Sequence, residues 1–258
     1  LGAHRVLWSV PVAGVALVLL GRTGDLRQAL ANPRMLAMAA VTAALVSVNW
    51  APYVWAVSAG RALDGALGYY INPLFSVFLG AVLLGERLTR LQIVAIALAG
   101  VAVGVLAWEM GSLPWPALVL TLSWGFYAYF KRRLPIGPNQ GFMLEVLLLS
   151  PVALAYLAWL ASRGETHFFA DSLTPFLLAG TGLATAIPLM LYANGAKGLR
   201  LSTIGMLQYI APTMILLVAV FVFDEPFGRG RMIAFPMIWA ALALYSFSLF
   251  QTRRKPAP

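Results

Sequence analysis

Tyr70-Ile71-Asn72-Pro73, with Glu86 following it, decides how this chain is built. The stretch recurs as Tyr209-Ile210-Ala211-Pro212, with Glu225 following, at a shift of 139 residues. The same shift carries Thr42 onto Thr181, Tyr53 onto Tyr192, Arg61 onto Arg200 and Arg90 onto Arg229. From Thr42 to Ala102 it gives ten identities in 61 positions. Tyr, Pro, Arg and Glu are scarce in so apolar a sequence. The matched residue types, more than their number, read as two copies of one unit.

Around the repeat the composition is that of a membrane protein. Apolar residues make up 61% of the chain and charged residues 10%, against about 25% charged in soluble domains. A soluble fold of this length could not hide so much apolar surface, so lipid is the solvent for most of it. There is no cysteine, which excludes disulfides and thiolate metal sites. The net charge of +9 sits in short loops between apolar runs and forms no continuous basic patch, which argues against a nucleic-acid partner.

Nine apolar runs of spanning length can be counted, at residues 3–20, 35–57, 66–84, 91–107, 114–130, 141–161, 173–194, 203–222 and 232–250. Backbone in lipid must bond internally, so runs of this length are helices, and the alternation of a β-barrel is absent. Thr89-Arg90-Leu91-Gln92 has the pattern of a capping box opening the fourth run. Successive loops alternate sides, and Lys and Arg divide 13 to five between them. The richer side is cytoplasmic, and the C-terminus lies there.

The third run maps onto the eighth, five spans later. Five is odd, so the two copies face opposite ways across the membrane, as in secondary transporters. The first run maps onto the sixth, the second onto the seventh and the fourth onto the ninth. The fifth has no partner, and its expected partner lies before residue 1. The expected fold is thus all-α and integral to the membrane. It is an inverted repeat of five-helix units, ten helices in full, with nine in this sequence. Residues 1–110 form the first repeat and 111–258 the second.

Several motifs then resemble a known family. They are His4-Arg5-Val6-Leu7-Trp8-Ser9, Asn49-Trp50 with Tyr53 and Trp55, Gly68-Tyr69-Tyr70-Ile71-Asn72-Pro73-Leu74, Leu84-Gly85-Glu86-Arg87, Gly111-Ser112-Leu113-Pro114, and Leu199-Arg200-Leu201-Ser202-Thr203 with Gln208-Tyr209-Ile210 and Pro212-Thr213. In this order they resemble the RarD branch of the EamA-type drug/metabolite transporters, over essentially the whole chain. The resemblance implies a ten-helix permease of the bacterial inner membrane with a central cavity between its halves. It leaves the solute open.

Pro73 and Pro212 fall inside their runs and are expected to kink them, leaving the carbonyls of Tyr69 and Gln208 without helical donors. Ordinary kinks satisfied by neighbouring helices are the alternative. Asn49, Trp50, Tyr53, Tyr69, Tyr70, Asn72, Trp124, Tyr127, Tyr192, Gln208 and Tyr209 bring aromatic and amide groups to membrane depth. Together they suit a cavity for a partly apolar solute; singly, each also suits helix–helix hydrogen bonding or interfacial anchoring. Arg5 is read as facing that cavity, or as snorkelling. Glu145 is read as an inner gate or titrating group, or as a helix N-terminal charge. Glu86 and Glu225 are read as structural, meeting the positive ends of the fourth and ninth runs. Asp25, Asp64, Asp171 and Asp224 are read as loop residues.

A secondary transporter for a small amphipathic solute, working by alternating access, is therefore the leading reading. An intramembrane enzyme or a non-transporting scaffold is the competing one. No nucleophile with a base, no paired carboxylates and no metal-ligand spacing point to an enzyme, and no phosphate-binding loop points to ATP. No cofactor is expected. The partners are a small solute and the bilayer; the oligomeric state, the direction of transport and its coupling are open.

Overall fold

The computed structural model describes residues 1–85, 87–165, 172–198 and 209–254. Among them run ten helices: α1 (Gly2–Leu19), α2 (Thr23–Leu30), α3 (Pro33–Ser58), α4 (Ala62–Leu84), α5 (Arg90–Met110), α6 (Trp115–Arg133), α7 (Pro138–Ser162), α8 (Thr174–Gly198), α9 (Ile210–Phe221) and α10 (Arg229–Arg254). Seven of these, α1, α3, α4, α5, α7, α8 and α10, are long and apolar enough to cross a membrane. Of the other two expected runs, α6 ends in Lys131-Arg132-Arg133, which dilutes its hydropathy. The second, α9, is described for 12 residues only. The capping box forms as expected: Gln92 N–H donates to Thr89 Oγ1, and Thr89 N–H donates to Gln92 Oε1. Large apolar side chains such as Trp108, Phe176 and Phe221 stand exposed, the surface a lipid solvent leaves uncovered.

The chain folds into two compact units, one of residues 1–47 and 130–199, the other of 48–129 and 200–258. This spatial division cuts across the expected division into repeats at residue 110: each unit draws on residues from both sides of it. In the first unit α1 packs against α7 and α8, and α2 against α7. The α1–α8 approach is close because Gly182 has no side chain; a Cβ there would strike the backbone of Trp8. A small cluster of Ala29, Ala39 and Leu144, with Leu26, Met35 and Leu36 around it, seats α2.

In the second unit α5 packs along α10 and α4 along α9. Ala95, Ala99, Ala102 and Leu106 recur at helical spacing on α5 and are fully buried, with Ala234, Phe235, Ile238 and Ala241 of α10 in the same cluster. Small residues let two backbones approach, which is how helices associate when lipid is as apolar as their side chains.

The shift of 139 residues makes α1 the counterpart of α7, α4 of α9 and α5 of α10. These counterparts are neighbours, and each pair runs antiparallel. Glu225, just past the end of α9, bonds to Ala62 and Leu63 at the start of α4, while Tyr70 reaches Thr213. Gly230, at the start of α10, lies against Glu109 near the end of α5. The start of α1 and the end of α7 line one groove with Leu1, His4, Tyr156 and Leu160. Antiparallel counterparts are what inversion of the second copy requires.

Three local expectations change. Pro73 lies within the continuous helix α4, but Pro212 stands in the first turn of the described α9. A missing N–H there breaks no bond to a described carbonyl, and Gln208 lies outside the described residues. Asp25 and Asp64 are in the first turns of α2 and α4, not in loops; an acidic side chain is favoured at that end of a helix. The short helix α2, between the first two spans, is not foreseen from apolar periodicity, because too few of its eight residues are apolar to show a stripe.

Candidate functional site

Glycine spacing brings α3, α4 and α6 together. Gly65 and Gly68 lie one turn apart on α4. A Cβ on Gly68 would lie 2.8 Å from the carbonyl oxygen of Ala117, and one on Gly65 would lie 3.3 Å from the Tyr53 ring. Thr121 Oγ1 donates to the Gly68 carbonyl at 2.9 Å. In this contact Asn49 is fully buried and saturates its amide. Its Nδ2 donates to the Leu120 carbonyl at 3.1 Å and to Ser123 Oγ at 3.0 Å, and its Oδ1 accepts from the Tyr69 hydroxyl at 3.1 Å. The Tyr53 ring meets Tyr69 edge-on, with centroids 5.8 Å apart. Trp124 and Tyr127 on α6 face each other at 5.2 Å, and Trp50 is nearly buried. Asn72, on the same α4 face as Gly65 and Tyr69, is 7% exposed. Its Oδ1 has no hydrogen-bond partner among the described residues.

Other expected site residues lie elsewhere. Tyr70 points to another side of α4, toward α9 and α10. Its hydroxyl pairs with Thr213 Oγ1 at 2.6 Å, and its ring meets Phe235 and Trp239 edge-on. Tyr209 packs against that same cluster. In the first unit, Arg5 Nε donates to Thr185 Oγ1 at 2.6 Å, tying α1 to α8. Glu145, 1% exposed, sits two turns into α7 and pairs with Lys131 Nζ at 2.5 Å. Nearby, Gln140 Nε2 donates to Asp25 Oδ2 at 3.1 Å. Glu225 serves a different helix from the one expected of it. Its carboxylate accepts from the Ala62 and Leu63 amides and so caps α4, not α10. The two amides at the start of α4 are orphan donors, and Glu225 is the acceptor the fold brings to them. Glu86, Gln208 and the side chain of Tyr192 lie outside the described residues.

The EamA-like transporter family matches residues 4–108. Protein RarD of Streptomyces exfoliatus is 41% identical over 254 residues, covering 98% of this chain and 81% of that protein. The uncharacterized transporter YojE of Bacillus subtilis is 40% identical over 98% of this chain and 85% of its own. Protein RarD of Escherichia coli K12 is 36% identical, over 98% and 86%. This chain belongs to the RarD branch of the EamA-like transporters. It is a multi-pass membrane protein of a transporter family.

For this RarD-type chain the structure groups Asn49, Tyr53 and Tyr69 around α6. It separates them from Tyr70, and it places Arg5 and Glu145 in the other unit. The sequence reading missed Thr121, Ser123 and Lys131. Serine and threonine at mid-helix carry no signal of their own, because their hydroxyls can bond back to the preceding turn, as Ser123 also does with Val119. Lys131 is hidden among three consecutive basic residues, and only the fold shows that it reaches Glu145.

Proposed function

We propose that this protein is a secondary carrier moving a small, partly apolar solute across the bacterial inner membrane by alternating access, with its C-terminus in the cytoplasm. The observation that carries the reading is the antiparallel packing of α1 on α7, α4 on α9 and α5 on α10. A chain whose two copies cross the membrane in opposite senses can present equivalent arrangements to either side. The solute contacts are assigned to the aromatic and amide groups of α3, α4 and α6: Tyr53, Tyr69, Asn72, Trp124 and Tyr127 line the path, and Asn49 fixes their helices. Trp50, on the same helix as Tyr53, completes the set. Arg5 attracts an anionic group of the solute. Glu145, held by Lys131, closes the cytoplasmic end of the first unit. The charge bias of the loops supports the orientation.

The test is flux in vesicles containing the purified full chain. One relative is named chloramphenicol-sensitive protein RarD, so chloramphenicol enters the first thermal-shift screen beside amino acids and their precursors. For a compound that raises the melting temperature, labelled solute should show saturable uptake and counterflow against an internal unlabelled pool. Linear, non-saturating flux for every stabilising compound would remove the carrier reading.

A further inference from the structure

At one end of the second unit two buried carboxylates tie three helices together. Glu225 is 5% exposed and Asp64 1%. The Glu225 carboxylate accepts from Ala62 N–H at 2.5 Å and from Leu63 N–H at 3.0 Å, joining the segment after α9 to the first turn of α4. Asp64, in that same turn, takes two arginine side chains. Arg61 gives Nε and Nη2 to Oδ2 at 2.9 and 2.8 Å. Arg231, in the first turn of α10, gives Nη2 to Oδ1 at 3.1 Å and Nη1 to the Pro226 carbonyl at 3.0 Å. The Arg61 guanidinium also lies over the Trp55 ring at 5.5 Å, and Trp55 meets Trp115 at 4.7 Å. The ends of α3, α4, α6, α9 and α10 thus meet in one polar knot.

The knot is lopsided with respect to the repeat. The shift of 139 residues pairs Arg61 with Arg200 and Glu225 with Glu86. Asp64, however, corresponds to Thr203, and Arg231 to Gln92, which is already engaged by Thr89. The Asp–Arg bridge therefore exists in one copy only.

We infer that Asp64 and Glu225 form a permanent latch: they hold the start of α4, the end of α9 and the start of α10 as one body throughout the transport cycle. Opening the knot would strip two buried carboxylates of their donors and leave the first amides of α4 unpaired. Each such loss is costly in a low-dielectric setting. A carrier keeps contacts that are so costly to break and moves elsewhere. The latch rests on the carrier reading for its meaning, but its test needs no solute, so the two can fail separately.

The chain has no cysteine, so a single introduced thiol is a unique probe. Ala66 is fully buried one turn inside the latch, and Ala59 is exposed at the end of α3. A hydrophilic maleimide is applied to the full chain in nanodiscs, where both faces are open to it. With the latch intact, Ala66→Cys should react at least about 100-fold more slowly than Ala59→Cys. Adding Asp64→Asn or Glu225→Gln should speed the Ala66→Cys reaction at least about tenfold. Reaction of Ala66→Cys at a rate near that of Ala59→Cys, with the latch intact, would overturn the inference, since that end would then open by itself. Continued protection of Ala66→Cys in the combined Asp64→Asn, Glu225→Gln variant would overturn it too. The first comparison needs neither charge variant to fold.

Discussion

Asn49 and Asn72 lie on adjacent helices at similar depth and differ in one respect: the first has its amide saturated by Leu120, Ser123 and Tyr69, and the second has a buried oxygen with no described partner. Removing a satisfied amide strands its partners, which costs about 1–3 kcal/mol. Removing an unsatisfied one does not. Asn49→Leu should therefore lower unfolding stability by roughly that amount, whereas Asn72→Leu should be neutral or stabilising. Denaturant titration in detergent measures both. Equal destabilisation by the two substitutions would show that Asn72 is held after all. If Asn72→Leu gains stability and loses flux, its amide serves the solute. A second pair separates glycines by what surrounds them. Gly68→Ala places a Cβ 2.8 Å from the Ala117 oxygen and should cost about 1–3 kcal/mol. Gly100 has nothing within 4 Å of the same probe position, so Gly100→Ala should gain roughly 0.5–1 kcal/mol.

Among the elements, the α6–α7 connection holds the most exacting charge pair. Lys131 on α6 is the partner of Glu145 on α7, whose side chain is almost completely buried. Lys131→Ala removes the cation paired with that buried carboxylate and should cost about 3–5 kcal/mol. Replacing both, Lys131→Met with Glu145→Leu, should recover most of the loss. A double-mutant cycle on unfolding free energies reads the coupling, and additive losses would mean that the pair contributes no interaction of its own. Elements were the best-read scale of this sequence. The repeat could be read because several of its identities lie where the copies meet. Ala95 and Ala234, like Ala102 and Ala241, are buried on both sides of the α5–α10 seam, where each copy needs a small residue for the same reason. Tyr70 and Tyr209 likewise belong to the cluster around α4 and α9. The partners of Asn49, Glu145 and Glu225 were not legible. They lie 74, 14 and 163 positions away along the chain, and no local periodicity records a contact of that kind. Which face of α4 a tyrosine takes was equally hidden: Tyr69 and Tyr70 are consecutive, and the helix turns them in different directions.

For the whole molecule, the uneven sharing of Lys and Arg between loops predicts an orientation that the chain's lack of cysteine makes easy to check. In intact cells an impermeant maleimide should label Ala59→Cys and leave Gln28→Cys unlabelled until the membrane is opened; both positions are exposed in the fold. The reverse pattern would invert the assignment of sides and move the Asp64–Glu225 knot to the cytoplasm. The outward apolar surface and the inward glycine and alanine contacts together describe a protein whose helices are specified by fit, because in lipid apolar side chains gain little by leaving the solvent.

The meeting of Gly68 with Ala117 limits how α4 can move. Backbone rests there almost directly on backbone, with no pliant layer of side chains between. A screw motion of α4 by one residue, turn and rise together, would drive the Cβ of Leu67 or Tyr69 into the Ala117 carbonyl. A swivel about that point displaces neither. The contact therefore acts as a pivot close to the latched start of α4: the long arm beyond it, toward Leu84, has the lever, and a small angular change at Gly68 becomes a larger excursion at that far tip.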